Sequence, residues 1–321
     1  MNLSKSLAVP MVLALSLAAC PVQAQNAPFS WLSPETTSIL DKIYDGGDTQ
    51  AAIDAAQRLQ QENPQQPLGY VLEAEAAWWN IWGSAAEYKY GMTMARHRGV
   101  LAADRHYLEL AAKISALAET QIKNQETAEM LFFNGMGYAF AARLYGLRGE
   151  NRNTARAGVR ARDNFARAIV LDPDFADAYL GLGLYNYYVD TLSGIARMLR
   201  FMMGIPGGSK AEGIHQLKIA IAEGILTPVA ARFYLALNLH NYDHQYKAAL
   251  EILLPLLQKY PGNPVFQLAA GDLYAKLGQH EMAVACYRAA AEIPVRDSEC
   301  AKHLHKLAEV SLAAISSTGP R

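Results

Sequence analysis

The chain has 321 residues and a formal net charge of -1, with 29 Lys and Arg against 30 Asp and Glu. That balance excludes a whole-protein electrostatic pull toward nucleic acid, although a local basic patch is still allowed. An apolar content of 51% can build a sizeable core, and the length fits one large domain or two small ones.

The first segment reads as an export leader rather than as structure. Lys5 supplies a positive start, and Leu7 to Ala19 is an apolar run too short to span a bilayer. Val22-Gln23-Ala24 forms a small-residue cleavage site, which leaves Gln25 as the first mature residue and residues 1–24 as a signal peptide. A rival site lies just upstream, where Leu17-Ala18-Ala19-Cys20 has the form of a lipobox. Processing there would lipidate Cys20 and anchor the protein to a membrane. Pro21 is an unusual neighbour for such a cysteine, so a soluble periplasmic protein is the first expectation and an anchored lipoprotein the second.

From residue 25 to 321 apolar residues recur at intervals of three and four, punctuated by Gly, Pro and Asn, and no stretch alternates like a strand. The pattern predicts stacked amphipathic helices and calls for a repeat search. Residues 33–66 form a first hairpin with Ala52, Leu59 and Pro64 as anchors, and 67–126 read as two long helices. Trp78, Trp79 and Trp82 cannot all point one way, so at least some are core. Glu73 and Glu75 are two apart on a helix and diverge, which excludes them as a carboxylate pair.

Residues 128–173 carry Leu131, Gly135 and Tyr138, then Ala161, Phe165, Ala168 and Pro173. Between those groups Arg148, Arg152, Arg156 and Arg160 recur every four residues. On one continuous helix they would form a basic stripe suited to phosphate or carboxylate groups. Gly149 and Asn151 signal a break inside it, and a solvated ridge is the plainer reading.

Residues 176–224 open on Tyr179, Leu182 and Gly183 and close on Gly213, Leu217 and Ala220, with an insertion between. Its residues 191–206 are rich in Leu, Ile, Met and Phe, with Arg197 and Arg200 interspersed. The segment reads as a hydrophobic flap on its own superhelix, with contact to a membrane or partner helix as the alternative. Gly204, Gly207, Gly208, Ser209 and Lys210 are in the wrong order for a phosphate loop, and no strand precedes them.

Residues 230–263 keep Phe233, Ala249, Leu253, Leu256 and Pro261. His240 and His244 are four apart but lack a third ligand, so turn histidines are expected and no metal. The clearest unit, 264–298, carries Gly271, Tyr274, Gly278, Ala283, Tyr287, Ala290 and Pro294. Residues 299–315 would cap the stack, with His303 and His305 at the surface. Cys286 and Cys300 fall on consecutive antiparallel helices with an axial offset of about 6 Å at 1.5 Å per residue. Helix axes are already roughly 8–10 Å apart, so two buried thiols are expected rather than a bridge.

These anchors resemble the tetratricopeptide repeat, strongly over 230–298, fairly over 128–224 and weakly before 127. The stretch from Gly183 to Gly208, followed by Lys210 to Leu217, also resembles an exported bacterial subgroup with a stretched helical hairpin. More distantly it is similar to a eukaryotic group associated with the outer mitochondrial membrane. The resemblance implies an all-α, right-handed superhelical solenoid of helix hairpins, no cofactor and no catalytic activity. It also implies that fixed positions of each first helix line a concave groove. Carried over, they fall on Phe132, Met136 and Phe140, on Leu184, Tyr187 and Tyr188, and on Tyr234, Asn238 and Tyr242. That aromatic trough suits an apolar or aromatic segment of a protein or peptide partner, with Asn238 able to bond its backbone. The competing expectation is that extra helices fill the trough and make these residues core. A lipid-anchored envelope accessory, acting through Cys20 and 191–206, is the second function, and a small-ligand binder or enzyme with a pocket in the trough is the third. No nucleophile–base constellation stands out.

Overall fold

The computed structural model describes residues 33–46, 49–87, 91–95, 100–194, 197, 200–201, 204–294 and 298–317. The leader, with Cys20, lies outside them, as does part of the 191–206 segment. The described residues form successive helices: α1 Pro34–Tyr44, α2 Thr49–Glu62, α3 Leu68–Ser84, α4 Ala102–Asn124, α5 Ala128–Leu147 and α6 Asn151–Leu171. They continue with α7 Ala178–Thr191, α8 Lys210–Glu223, α9 Pro228–Asn241, α10 Tyr246–Lys259, α11 Pro264–Lys276, α12 His280–Glu292 and α13 Glu299–Ser317.

Local chemistry sets where these helices begin. Ser33, Thr127 and Asn263 accept from the free backbone N–H groups of the following turn at Thr36, Met130 and Val265. Pro34, Pro228 and Pro264 occupy the first turn, where their missing N–H costs nothing. Gly149 ends the α5–α6 turn at a φ of 76°, a conformation that favours glycine.

Each helix packs on the next, as an all-α solenoid requires. Two layers follow from composition. The helices α3 and α11 are buried on nearly every side, and α5 and α9 along most of their length. Their partners α2, α6, α10 and α12 bury one stripe, rich in Ala with Phe165, Leu253 and Tyr287. Close approach explains the small anchors. A Cβ on Gly181 or Gly135 would run into the Phe165 ring, so α5 and α7 clasp that ring with bare backbone.

Two features depart from expectation. The segment 67–126 is not simply two helices, because β1 Ala86–Glu87 pairs antiparallel with β2 Gly91–Ala95 between α3 and α4. Strand β2 lies against α3, α9, α11 and α13. It is too short for a period-two signal to stand out. The second departure is closure. Tyr260 Oη donates to Asp41 at 2.8 Å, and Asn263 Nδ2 donates to the Tyr44 carbonyl at 2.7 Å. The first hairpin thus meets the α10–α11 turn across 219 positions of sequence.

Helix α3 lies inside the closed array. Trp78, Trp79 and Trp82 are all buried. Trp79 packs edge-on to Tyr44 and Phe266 and tilted on Phe233, with ring centroids 5.7, 5.8 and 4.9 Å away. Cys286 and Cys300 are free and buried, as their spacing implies. His303 is half-buried, and its Nε2 lies 2.8 Å from the Ala86 carbonyl, so α13 holds the start of the β-hairpin.

Candidate functional site: a tyrosine tract on the inner face

Residues of α5 that share the inward face are Phe132, Met136, Phe140 and Arg143, at helical spacing. The first departs from expectation. Phe132 is fully buried against Phe133, Phe165 and Phe175, so it belongs to the core between α5 and α6 and lines no groove. Met136 is buried as well.

Arg143 and Glu75 form the floor. The guanidinium carbon lies 4.5 Å from the Trp78 ring centroid and 4.2 Å from that of Phe140. A planar, weakly hydrated cation suits such stacking, where an ammonium would not. Arg143 Nε donates to Tyr107 Oη at 2.5 Å, and Nη2 sits 2.8 Å from Glu75 Oε2, off the hydrogen-bond line. Glu75 also accepts from Trp79 Nε1 at 3.1 Å and Tyr44 Oη at 3.4 Å. A buried carboxylate with a cation and two donors is satisfied, as burial of charge demands. Glu73 turns the other way, to Gln57, Gln60 and His106, which bears out the divergence of the two acids.

From this floor the tract runs outward. Trp78 Nε1 donates to Tyr234 Oη at 2.7 Å, and burial foremost pushes the Tyr234 hydroxyl up to about 12. Tyr188, half-exposed, also has its hydroxyl raised, by burial and then by Tyr242 and Tyr234. Tyr187, Tyr188 and Tyr242 form a triangle of rings at 5.9, 6.1 and 6.0 Å. Within it Tyr187 is 0% exposed, Tyr188 37% and Tyr242 51%.

Tyr187 is therefore a structural pin and not a contact surface. Its hydroxyl reaches Asp243 Oδ2 at 2.7 Å and the Asn238 carbonyl at 3.0 Å. Lys210 closes the set, 2.5 Å from Asp243 Oδ1. Asn238 is 2% exposed, and its side chain lies against the Tyr188 hydroxyl, whose pKa it helps hold down. Leu184 is half-buried against the core.

The expected trough thus divides. Tyr188, Tyr234, Asn238 and Tyr242 come together, Phe140 and Tyr187 support them, and Phe132 and Met136 withdraw into the core. Arg143 and Tyr107 join the tract without having been singled out, and so do Glu75 and Trp78, which the sequence marked only as a diverging acid and as one of three tryptophans. The position of Arg143, in register with Phe132, Met136 and Phe140, is the signal that marks it.

The arginine series also divides. Arg148 is buried and makes two hydrogen bonds to Asp104, at 2.7 and 2.8 Å, so it offers nothing to an external anion. The turn at Gly149 separates it from Arg152, Arg156 and Arg160, which are exposed on α6. His240 is not a solvated turn histidine: it is buried beside Tyr246, and no metal-holding cluster is present among the described residues.

Burial, its largest influence, lowers the pKa of His240 below the ordinary 6.5. The unfolded chain then binds the proton more readily than the folded one. Stability from the neutral ring is present above about 6.5 and is lost as pH falls below it. His240→Gln should flatten that limb of a urea-midpoint profile between pH 7 and 5. An unchanged slope would mean that His240 does not set it.

No family model matches the chain, and no curated protein matches it.

Proposed function

We propose that this chain is a non-catalytic, exported binding module of the tetratricopeptide kind that grips a polypeptide segment on its inner face. The observation that carries the reading is the rim. Two neighbouring tyrosines, Tyr188 and Tyr242, remain accessible there. A flat aromatic pair offers large contact area at small entropic cost, which suits the grip on a polypeptide segment. The clasp of Phe165 by Gly135 and Gly181, and the Tyr287 ring against Gly271, support the repeat reading. On this reading the N-terminal segment is a leader and the module acts in the periplasm. No helix among the described residues is long and apolar enough to cross a membrane.

The test uses peptides selected from a random display library on the purified protein. Tyr188→Ala/Tyr242→Ala removes the accessible rings and leaves Tyr187 and Tyr234 in place. Selected peptides should bind this variant at least tenfold more weakly, with an unchanged circular dichroism spectrum. Equal binding by the folded variant would remove the rim from the function.

A further inference from the structure

A cleft of about 390 Å³ opens on the face of α5 opposite the tyrosine tract. On that helix Tyr138, Ala141 and Tyr145 point roughly half a turn away from Phe140 and Arg143. Helices α4 and α6 form the walls. The α4 wall and the floor are mostly small: Ala111, Ala112, Ser115, Ala116, Gly137 and Ala141. A Cβ on Gly137 would collide with Ser115 Oγ and the Ala111 carbonyl, so α4 packs directly on α5 there and closes the bottom of the cleft.

Polar groups gather on the α6 side, where Asn153, Arg156 and Arg160 line the cleft. Arg160 is already engaged. Its guanidinium carbon is 5.3 Å from the Tyr138 ring centroid, and Tyr138 Oη donates to Glu119 at 2.7 Å. Arg156 is exposed and has no acidic partner among the described residues. The cleft therefore combines a base of small side chains, two tyrosines and a guanidinium with no ion-pair partner among the described residues. Its volume falls within the usual range of small-ligand sites, roughly 300–1,000 Å³.

We propose that this cleft binds a small organic anion bearing a flat ring, with the ring on Ala112, Ala116 and Ala141 between Tyr138 and Tyr145 and the anionic group on Arg156. Glu119 lines the same cleft, tied to Tyr138 beside Arg160, and leaves Arg156 as the free cation for the anionic group. The guanidinium fork matches a carboxylate or a phosphate, and the ring sets the class apart from inorganic anions. The site is independent of the peptide-binding face.

The test is titration calorimetry on the purified protein with 2-naphthoate, adenosine 5′-monophosphate, 2-naphthamide and inorganic phosphate. At least one of the two ring-bearing anions should bind, and the better one names the anionic group. Neutral 2-naphthamide and ringless phosphate should each bind at least tenfold more weakly. Arg156→Gln should weaken the preferred anion at least tenfold, and Ala116→Leu, an exposed substitution that fills the cleft, should abolish binding. Both variants should retain the wild-type circular dichroism spectrum and the rim's peptide binding. No binding of either ring-bearing anion at millimolar concentration would overturn the proposal. So would equal binding by the folded Arg156→Gln and Ala116→Leu variants, or binding of 2-naphthamide as tight as 2-naphthoate.

Discussion

Arg148→Met should lower the unfolding free energy by about 3–5 kcal/mol, the range for breaking a buried ion pair from one side. The pair is the most enclosed in the fold. Arg148 and Asp104 side chains are 4% and 6% exposed, and two hydrogen bonds join them. Asp104 Oδ2 also accepts from the Leu101 backbone at the start of α4. Methionine removes the cation and leaves the carboxylate buried with one backbone donor. The loss then includes the cost of the stranded charge as well as of the bonds. Adding Asp104→Leu removes that charge, and the double variant should recover part of the loss despite the missing cap. Urea unfolding of wild type, single and double variants measures this coupling directly. A single-variant loss below about 1 kcal/mol would place the pair with surface bridges.

Asp177→Ala should cost a comparable amount, roughly 3–5 kcal/mol, because one carboxylate serves four donors. Its Oδ1 accepts from the backbone N–H groups of Ile225, Leu226 and Thr227 and from Thr227 Oγ1, between 2.7 and 3.0 Å. These groups enter α9, so the residue before α7 fixes the start of the helix that carries Tyr234 and Asn238. Burial is the main influence on its carboxyl and raises the pKa above 3.8, while the four donors pull it down. The sign follows. The folded state binds this proton more readily than the unfolded one, so the carboxyl's pH-linked stabilisation is greatest in acid and is lost as pH rises through its folded pKa. Asp177→Asn should remove that pH dependence and, by placing an N–H donor among donors, still lose much of the stability. If Asp177→Ala unfolds at the wild-type urea concentration, the loop is held by other contacts.

What the sequence discloses depends on range. The hairpin α11–α12 was readable because its determinants lie close together: Gly271 faces Tyr287, and a Cβ between them has no room. The break at Gly149 was readable for the same reason. The tyrosine rim was readable through the repeat register, which brought Tyr188, Tyr234, Asn238 and Tyr242 to one tract. Helical periodicity gives the face of a residue and not the distant helix that will meet it. Arg143 and Glu75 are on helices separated by α4, and Trp78 meets Tyr234 across 156 positions. No local pattern encodes those encounters. The buried Phe132 follows from the same blindness, since Phe175 comes to it from the loop before α7.

The bond from Tyr260 to Asp41 has a consequence for how the chain is made. An open repeat array can nucleate at any hairpin and grow by neighbours alone. Here Trp79 and Trp82 gain Phe233, Trp79 gains Phe266 and α1 gains Tyr260 only when residues 233–266 have appeared. More than half of the polypeptide must leave the ribosome first, at about 5–20 residues per second. During that interval the faces of Trp79 and Trp82 that meet Phe233 stay uncovered, and their later enclosure costs the closure entropy of a very long loop. The first half of the chain therefore completes its packing only after the second half has been made.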